Sequence, residues 1–187
     1  MTRDLRRTAP PRDLAHVRIM PSEHSYRPGH LGDVTLRTAN AADAVAVADV
    51  YLESRKWLLP FAPLAHHDHA IRRWINERLI PSGNVRVAVR SDTVIGMCAT
   101  SRDGLCNWID QLYVAPNSIG IGVGTTLLVA AIAQLPNPIQ LYTFQQNLRA
   151  RRFYEHHGFV AIAFGDGTGN EEGVPDVLYE RDIPSWV

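Results

Sequence analysis

Only two cysteines, Cys98 and Cys106, occur in 187 residues, and no Cys-x-x-Cys or other ligand spacing joins them. That excludes a disulfide scaffold and fits buried thiols in a reducing compartment. Neither sign of charge prevails, because 19 Lys and Arg balance 19 Asp and Glu. Without an overall basic field, neither nucleic acid nor an anionic membrane surface is an expected partner. No apolar run approaches the ~18 residues of a membrane span. The start, "MTRDLRRTAPPRDLAHVRIM", is rich in arginine but lacks an apolar signal core. A cytoplasmic location is the expectation.

What is present suits one core: 45% of the residues are hydrophobic, and the length falls within the ~100–200 residues of a typical domain. Up to Gly32 the chain shows prolines and arginines without a sustained period, so residues 1–32 read as an irregular extension and 33–187 as a single domain. "VTLR" reads as a strand and "TANAADAVAVADVYLES" as a helix, with Asn40 or Asp43 near its start. "WLLPFAPLAHH" breaks the pattern, and a second helix runs from Asp68 to Leu79. "VRVAV", "TVIGMCAT" and "LCNWIDQLYV" are strand runs joined by turn residues, an antiparallel meander. Helix "TTLLVAAIAQL", strand "IQLYTF", helix "LRARRFYEHH" and strands "FVAIAFG" and "VLYERD" follow. The order implies an α/β (α+β) fold, a mixed sheet with helices on both faces.

Between the third strand of the meander and the next helix stands "PNSIGIGVGTTLL", with Gly120, Gly122 and Gly124 at alternate positions. Glycine at a helix start costs about 1 kcal/mol against alanine, so three need a reason. A phosphate held by the free N–H groups and positive dipole of the helix N-terminus is one reason; a tight turn is the other. No Gly-Lys-Ser/Thr follows, which excludes a Walker loop. His66 and His69 in "AHHDH" have a helical spacing for metal, yet no further ligand set accompanies them, and they read as helix-start residues beside an N-capping Asp68.

Two motifs together carry a resemblance. Val114-Ala115-Pro116 precedes Ile119-Gly120-Ile121-Gly122-Val123-Gly124, and Asn147, Ala150, Tyr154, Gly158 and Phe159 follow at a fixed spacing. From Val34 to about Arg181 the chain resembles the GNAT superfamily of acetyl-CoA-dependent N-acetyltransferases. Ile119 departs from the family's Gln or Arg, which shifts pyrophosphate contacts onto backbone N–H groups. The resemblance implies a mostly antiparallel central sheet with a splayed strand pair after Val114 and Phe144, which receives the pantetheine arm. It implies acetyl-CoA as cofactor, no metal, and a monomer or homodimer. Leu112, Val114, residues 119–124, Thr125, Asn147, Arg152 and Tyr154 are then the cofactor residues, Arg152 because the CoA 3′-phosphate lies near the last helix in the family.

Acyl transfer to an amine needs a neutral amine, a polarised carbonyl and a proton for the departing thiolate. Tyr154 matches the family's general acid; as a sequence feature alone it reads equally as a core tyrosine. Asp110 shares a strand face with Trp108 and Leu112 by alternation and is either the base, acting through water, or a solvated aspartate. Trp57 and Phe61 lie in the segment that overhangs the acceptor in the family, an expected aromatic wall. Asp166, Glu171, Glu172 and Asp176 crowd "GDGTGNEEGVPD", which is either a solvated hairpin tip or the lining of a site for a small polycationic amine. Aminoglycosides fit that chemistry, and the pattern resembles the branch of the family that holds kasugamycin 2′-N-acetyltransferases. Acetylation of protein amines and a non-catalytic acyl-CoA-binding regulatory module are the alternatives.

Overall fold

The computed structural model describes residues 32–182 apart from Leu105. Except for Gly32, the extension expected over residues 1–32 lies outside them. Seven strands form one sheet: β1 (Thr35–Thr38), β2 (Val85–Arg90), β3 (Thr93–Asp103), β4 (Cys106–Val114), β5 (Ile139–Phe144), β6 (Val160–Phe164) and β7 (Asp176–Arg181). Their spatial order is β1-β2-β3-β4-β5-β7-β6, and every neighbouring pair is antiparallel except β4 with β5. The mixed, mostly antiparallel sheet of the sequence reading is therefore present.

Strand alternation divides the apolar residues between two cores. Val85, Val87 and Val89 face one, with Val47, Val50 and Leu52 of α1 (Ala44–Leu58) and Ile71 of α2 (Asp68–Trp74). Ala88, Ile109, Ile139 and Leu141 face the other, with Leu127 and Leu128 of α3 (Val123–Ile132) and Tyr154 of α4 (Leu148–His156). Leu127 and Leu128 are fully enclosed, each worth about 1.5–3 kcal/mol of transfer energy.

Local chemistry sets the helix limits. The first helix was expected over residues 38–54; α1 instead begins at Ala44, after a separate 3-10 turn, Ala41–Asp43. Asn40 caps that turn by accepting from the Ala42 N–H at 2.9 Å, and Asp43 accepts from the Asn40 N–H at 2.8 Å. The 3-10 turn takes the cap, so α1 starts later, and it runs on until Pro60 enforces a stop. The second helix continues past Trp74 as a wider π turn, Ile75–Leu79. Its cap is His67, not Asp68, which occupies the first helical position and pairs with Lys56 at 2.6 Å. Cys98 is buried, which pushes its thiol up to about 12, while Cys106 is only half-buried.

The seam between β4 and β5 positions the site. Only Asn107 with Ile139 and Trp108 with Gln140 pair across it. Buried Asn107 secures that end, donating from its side chain to the Pro136 carbonyl at 2.8 Å and from its backbone to the Pro138 carbonyl at 3.1 Å. Beyond these pairs the strands separate, and β5 pairs with β7 along its whole length. The splayed pair follows.

Candidate active site

The glycine loop ends β4 and opens α3. Gly120 and Gly122 have φ of +86° and +96°, a left-handed conformation that side chains disfavour. Gly122 is the residue before the helix, and no side chain caps it. The first intrahelical bond runs from the Thr126 N–H to the Gly122 carbonyl at 3.0 Å, so the N–H groups of the first turn have no helical partner. Gly124 answers to something else. A Cβ there would meet Phe153 and Val114 at an ordinary 3.7 Å, so nothing in the chain itself demands glycine.

Two clefts open at the splay. The first, about 600 Å³, runs from the glycine loop along β4 to α4. Nine residues expected at the cofactor line it: Leu112, Val114, Ile119, Gly120, Gly122, Gly124, Thr125, Asn147 and Tyr154. Three do not. Val123 is enclosed in the core, Ile121 packs against the same core, and Arg152 is exposed on α4 while Arg149 lines the cleft instead. The second cleft, about 610 Å³, lies beyond the splay, between α1, β5 and the loop joining β6 to β7. Leu59, Leu112, Tyr113, Asn147, Ala150 and Tyr154 line both. The clefts meet there.

Tyr154 sits at that junction, 8% exposed. Burial raises its phenol above the ordinary tyrosine range, with Cys98 and Tyr113 adding to the effect. The group stays protonated at any ordinary pH. Asn147 caps α4, its side-chain oxygen accepting from the Ala150 N–H at 3.1 Å, and so fixes the helix that carries Tyr154.

Asp110 lines the second cleft and accepts from the Ser101 hydroxyl at 2.9 Å. Desolvation by the surrounding strands raises its pKa, and the Ser101 bond works against that rise. Its placement differs from simple alternation. The β3–β4 register slips between Ala99 and Thr100, whose partners are Gln111 and Ile109, so Asp110 is the extra residue of a bulge. Ile109 and Leu112, three apart, both pack toward the α3–α4 core. Asp110 therefore does not share a face with Leu112.

The expected acceptor residues separate. Trp57, 76% exposed, lines the first cleft and not the second. Phe61 lines neither; it packs edge-on against Phe144 at 6.1 Å, behind the wall that Phe144 forms. Glu171 stands outside the clefts, 72% exposed and bonded to His66 at 2.9 Å. Asp166 accepts from Thr168 and closes its own turn. Glu172 lines the second cleft with its carboxylate held at 2.7 Å by the buried Arg55. Asp176 also lines it and accepts from Asn170 at 2.9 Å. Among the described residues no group of three or more His, Cys, Asp or Glu could hold a metal, and no helix is long and apolar enough to cross a membrane.

Sequence reasoning missed Arg55, Tyr51 and Tyr113, and marked Phe144 only as the start of the splay; all four line the second cleft. One signal was available: Ala48, Leu52 and Arg55 repeat at helical spacing, which places the arginine on the buried stripe of α1.

The Acetyltransferase (GNAT) family model matches residues 51–159. No curated protein matches the chain significantly. Among solved structures, a GNAT-family acetyltransferase from Bacillus cereus is 16% identical, with a TM-score of 0.65 over 81% of this chain and 98% of that one. The PaiA N-acetyltransferase of Thermoplasma acidophilum, solved in complex with coenzyme A, is 21% identical, with a TM-score of 0.65 over 81% and 99%. Ard1 from Thermoplasma volcanium is 20% identical, with a TM-score of 0.63 over 79% and 96%. At such identities the likeness is one of fold.

Proposed function

The chain belongs to the GNAT acetyltransferase family, and from that premise we propose that it moves an acetyl group from acetyl-CoA to a primary amine. The observation that carries this reading is the meeting of two clefts at Tyr154, one opening on an uncapped helix start and the other on carboxylates. The first cleft suits a coenzyme: first-turn N–H groups of α3 face a phosphate without side-chain competition, and Gly124 leaves open the space a Cβ would fill. The free edge of β4 offers backbone groups to an extended arm. Acetyl-CoA, when bound, supplies an activated acyl carbon and a thiolate leaving group.

The residues then divide the work. Tyr154, protonated and buried at the junction, would hold the proton that the leaving sulfur takes up, its phenolate then being reprotonated from solvent. Asp110, on the wall of the second cleft, takes the amine proton directly or through water. Leu59, Leu112 and Phe144 line the cleft beside them.

Within this reading the acceptor is a small hydroxylated amine of the aminoglycoside class. Asp110 and Asp176 support it, as cleft carboxylates with no arginine or lysine paired to them among the described residues. Glu172 does not add free negative charge, because Arg55 holds it, and Glu171 stands outside the clefts. The kasugamycin type rests on sequence pattern alone.

The test is thiol release from acetyl-CoA against a panel of aminoglycosides, polyamines, amino acids and peptides. Transfer to kasugamycin or a kindred compound upholds the acceptor class. Preference for peptides replaces it with protein acetylation, and coenzyme binding without turnover on any amine leaves a binding module.

A further inference from the structure

Arg55 is the buried cation among the described residues, its side chain 5% exposed. It reaches three elements. Its Nη2 donates to Glu172 at 2.7 Å on the β6–β7 loop and to the Ala62 carbonyl at 3.3 Å on the α1–α2 connection. Its guanidinium lies 5.3 Å from the ring centre of Phe144, at the end of β5. Glu172, Phe144 and Leu59, which neighbours that connection, all line the second cleft. The next acid, Glu171, ties the same loop to the same connection through His66. Two consecutive glutamates thus tether one loop.

The Nε of Arg55 is buried without a hydrogen-bond partner. Leaving such a donor unmade is costly, and an apolar residue would fill the space without that loss. That cost points to a role for the arginine other than stability. The loop it holds presents Gly165, Gly167, Gly169 and Asn170 to the cleft, so its shape more than its side chains defines the wall. A side chain at Gly167 would collide with the backbone of Gly173 and Val174, which keeps that shape narrow.

We propose that Arg55 is a positioning residue for acceptor selectivity: through Glu172 it pins the β6–β7 loop as the outer wall of the acceptor cleft. The inference rests on the acetyltransferase reading for the word acceptor. Glu172 binds Arg55 through Oε1 and sits one-fifth exposed at the cleft, leaving Oε2 to accept from an N–H or O–H of the acceptor. Because the pair is neutral overall, it selects a hydrogen-bond donor at a fixed place and adds no net attraction for cations.

Three full-length variants test this: Glu172→Gln, Arg55→Lys and the double Arg55→Met/Glu172→Met. The readouts are KM and kcat for the amine chosen by the panel, acetyl-CoA affinity, Tm, and amide hydrogen exchange over residues 166–174. Each single variant should raise acceptor KM about tenfold and speed loop exchange, with acetyl-CoA affinity unchanged. The double variant, which replaces the ion pair by apolar packing, should recover Tm but not acceptor KM. Wild-type KM or wild-type loop exchange in the single variants overturns the proposal, as does a double variant that recovers KM together with Tm. If the wild type acetylates no amine, the acetyltransferase reading and the selectivity role fall together. Loop exchange still decides the tether, upheld by acceleration and overturned by none.

Discussion

Ser54, buried on α1, donates its hydroxyl to the carbonyl of Val114, the last residue of β4, at 2.7 Å across sixty positions of sequence. One hydroxyl thus joins the helix that walls both clefts to the point where the strand gives way to the glycine loop. Replacing Ser54 with Ala leaves that carbonyl unpartnered, at a cost of about 1–3 kcal/mol. Tm should fall accordingly, and titration calorimetry should show weaker acetyl-CoA binding. Unaltered affinity in the destabilised variant would mean that the bond serves the fold alone.

Gly124→Ala separates ligand space from fold. The added methyl meets protein atoms only at van der Waals distance, and alanine favours a helix over glycine by about 1 kcal/mol. Tm should therefore hold or rise while the dissociation constant for acetyl-CoA increases. Gly120→Ala should act in the opposite way, lowering Tm because φ there is +86°. If Gly124→Ala binds the coenzyme as the wild type does, the loop is a turn and no more.

Tyr154→Phe should cut kcat by ~10²–10⁴-fold with little change in either KM, the usual effect of losing a positioned acid. Since burial raises the phenol's pKa, the wild type should keep its acid through the alkaline range. The rate should then show no falling limb below the ordinary tyrosine pKa of about 10. A limb near that value that persists in the Phe variant belongs to another group.

Asp110 works as a base only when ionised, so kcat/KM should decline as pH falls through its raised pKa. The Ser101 bond favours the carboxylate; Ser101→Ala should move the acid limb to higher pH, and Asp110→Asn should remove that limb along with most of the rate. An acid limb that ignores both substitutions assigns deprotonation to the amine itself.

Trp57, exposed beside the first cleft, should become covered when the coenzyme binds. Its fluorescence should change on adding CoA, and the change should vanish in Trp57→Phe. Trp57→Ala should weaken acetyl-CoA by about tenfold at most and leave acceptor KM alone. A shift in acceptor KM instead would return this residue to the wall first expected of it.

The order of elements along the chain and the glycine loop were legible because each rests on local signals: Gly122 before α3, Gly158 after α4, alternating valines in β2. The shared face expected of Asp110 and Leu112 failed because the bulge is a property of two strands, visible in neither alone. The acidic loop was legible only in part, for a similar reason: Glu172 and Asp176 line the second cleft and Glu171 does not. Its charges are adjacent in sequence, but their partners Arg55 and His66 lie 117 and 105 residues away, and no local pattern records that distance. Trp57 and Phe61, four apart, fall on either side of Pro60, where the end of α1 sends them to different neighbours.

Among the described residues, the pairings of Asn107 with Ile139 and Trp108 with Gln140 are the only strand pairings that join the half-sheet of β1–β4 to that of β5–β7. A fabric stitched at one end tears from the other, so a molecule lying along the gap works as thread as well as reagent. Occupied by acetyl-CoA as proposed, the gap should resist unfolding by RT ln(1 + [L]/Kd), about 2.7 kcal/mol at a hundredfold excess over Kd. The stability of the protein would then rise and fall with the concentration of the proposed ligand.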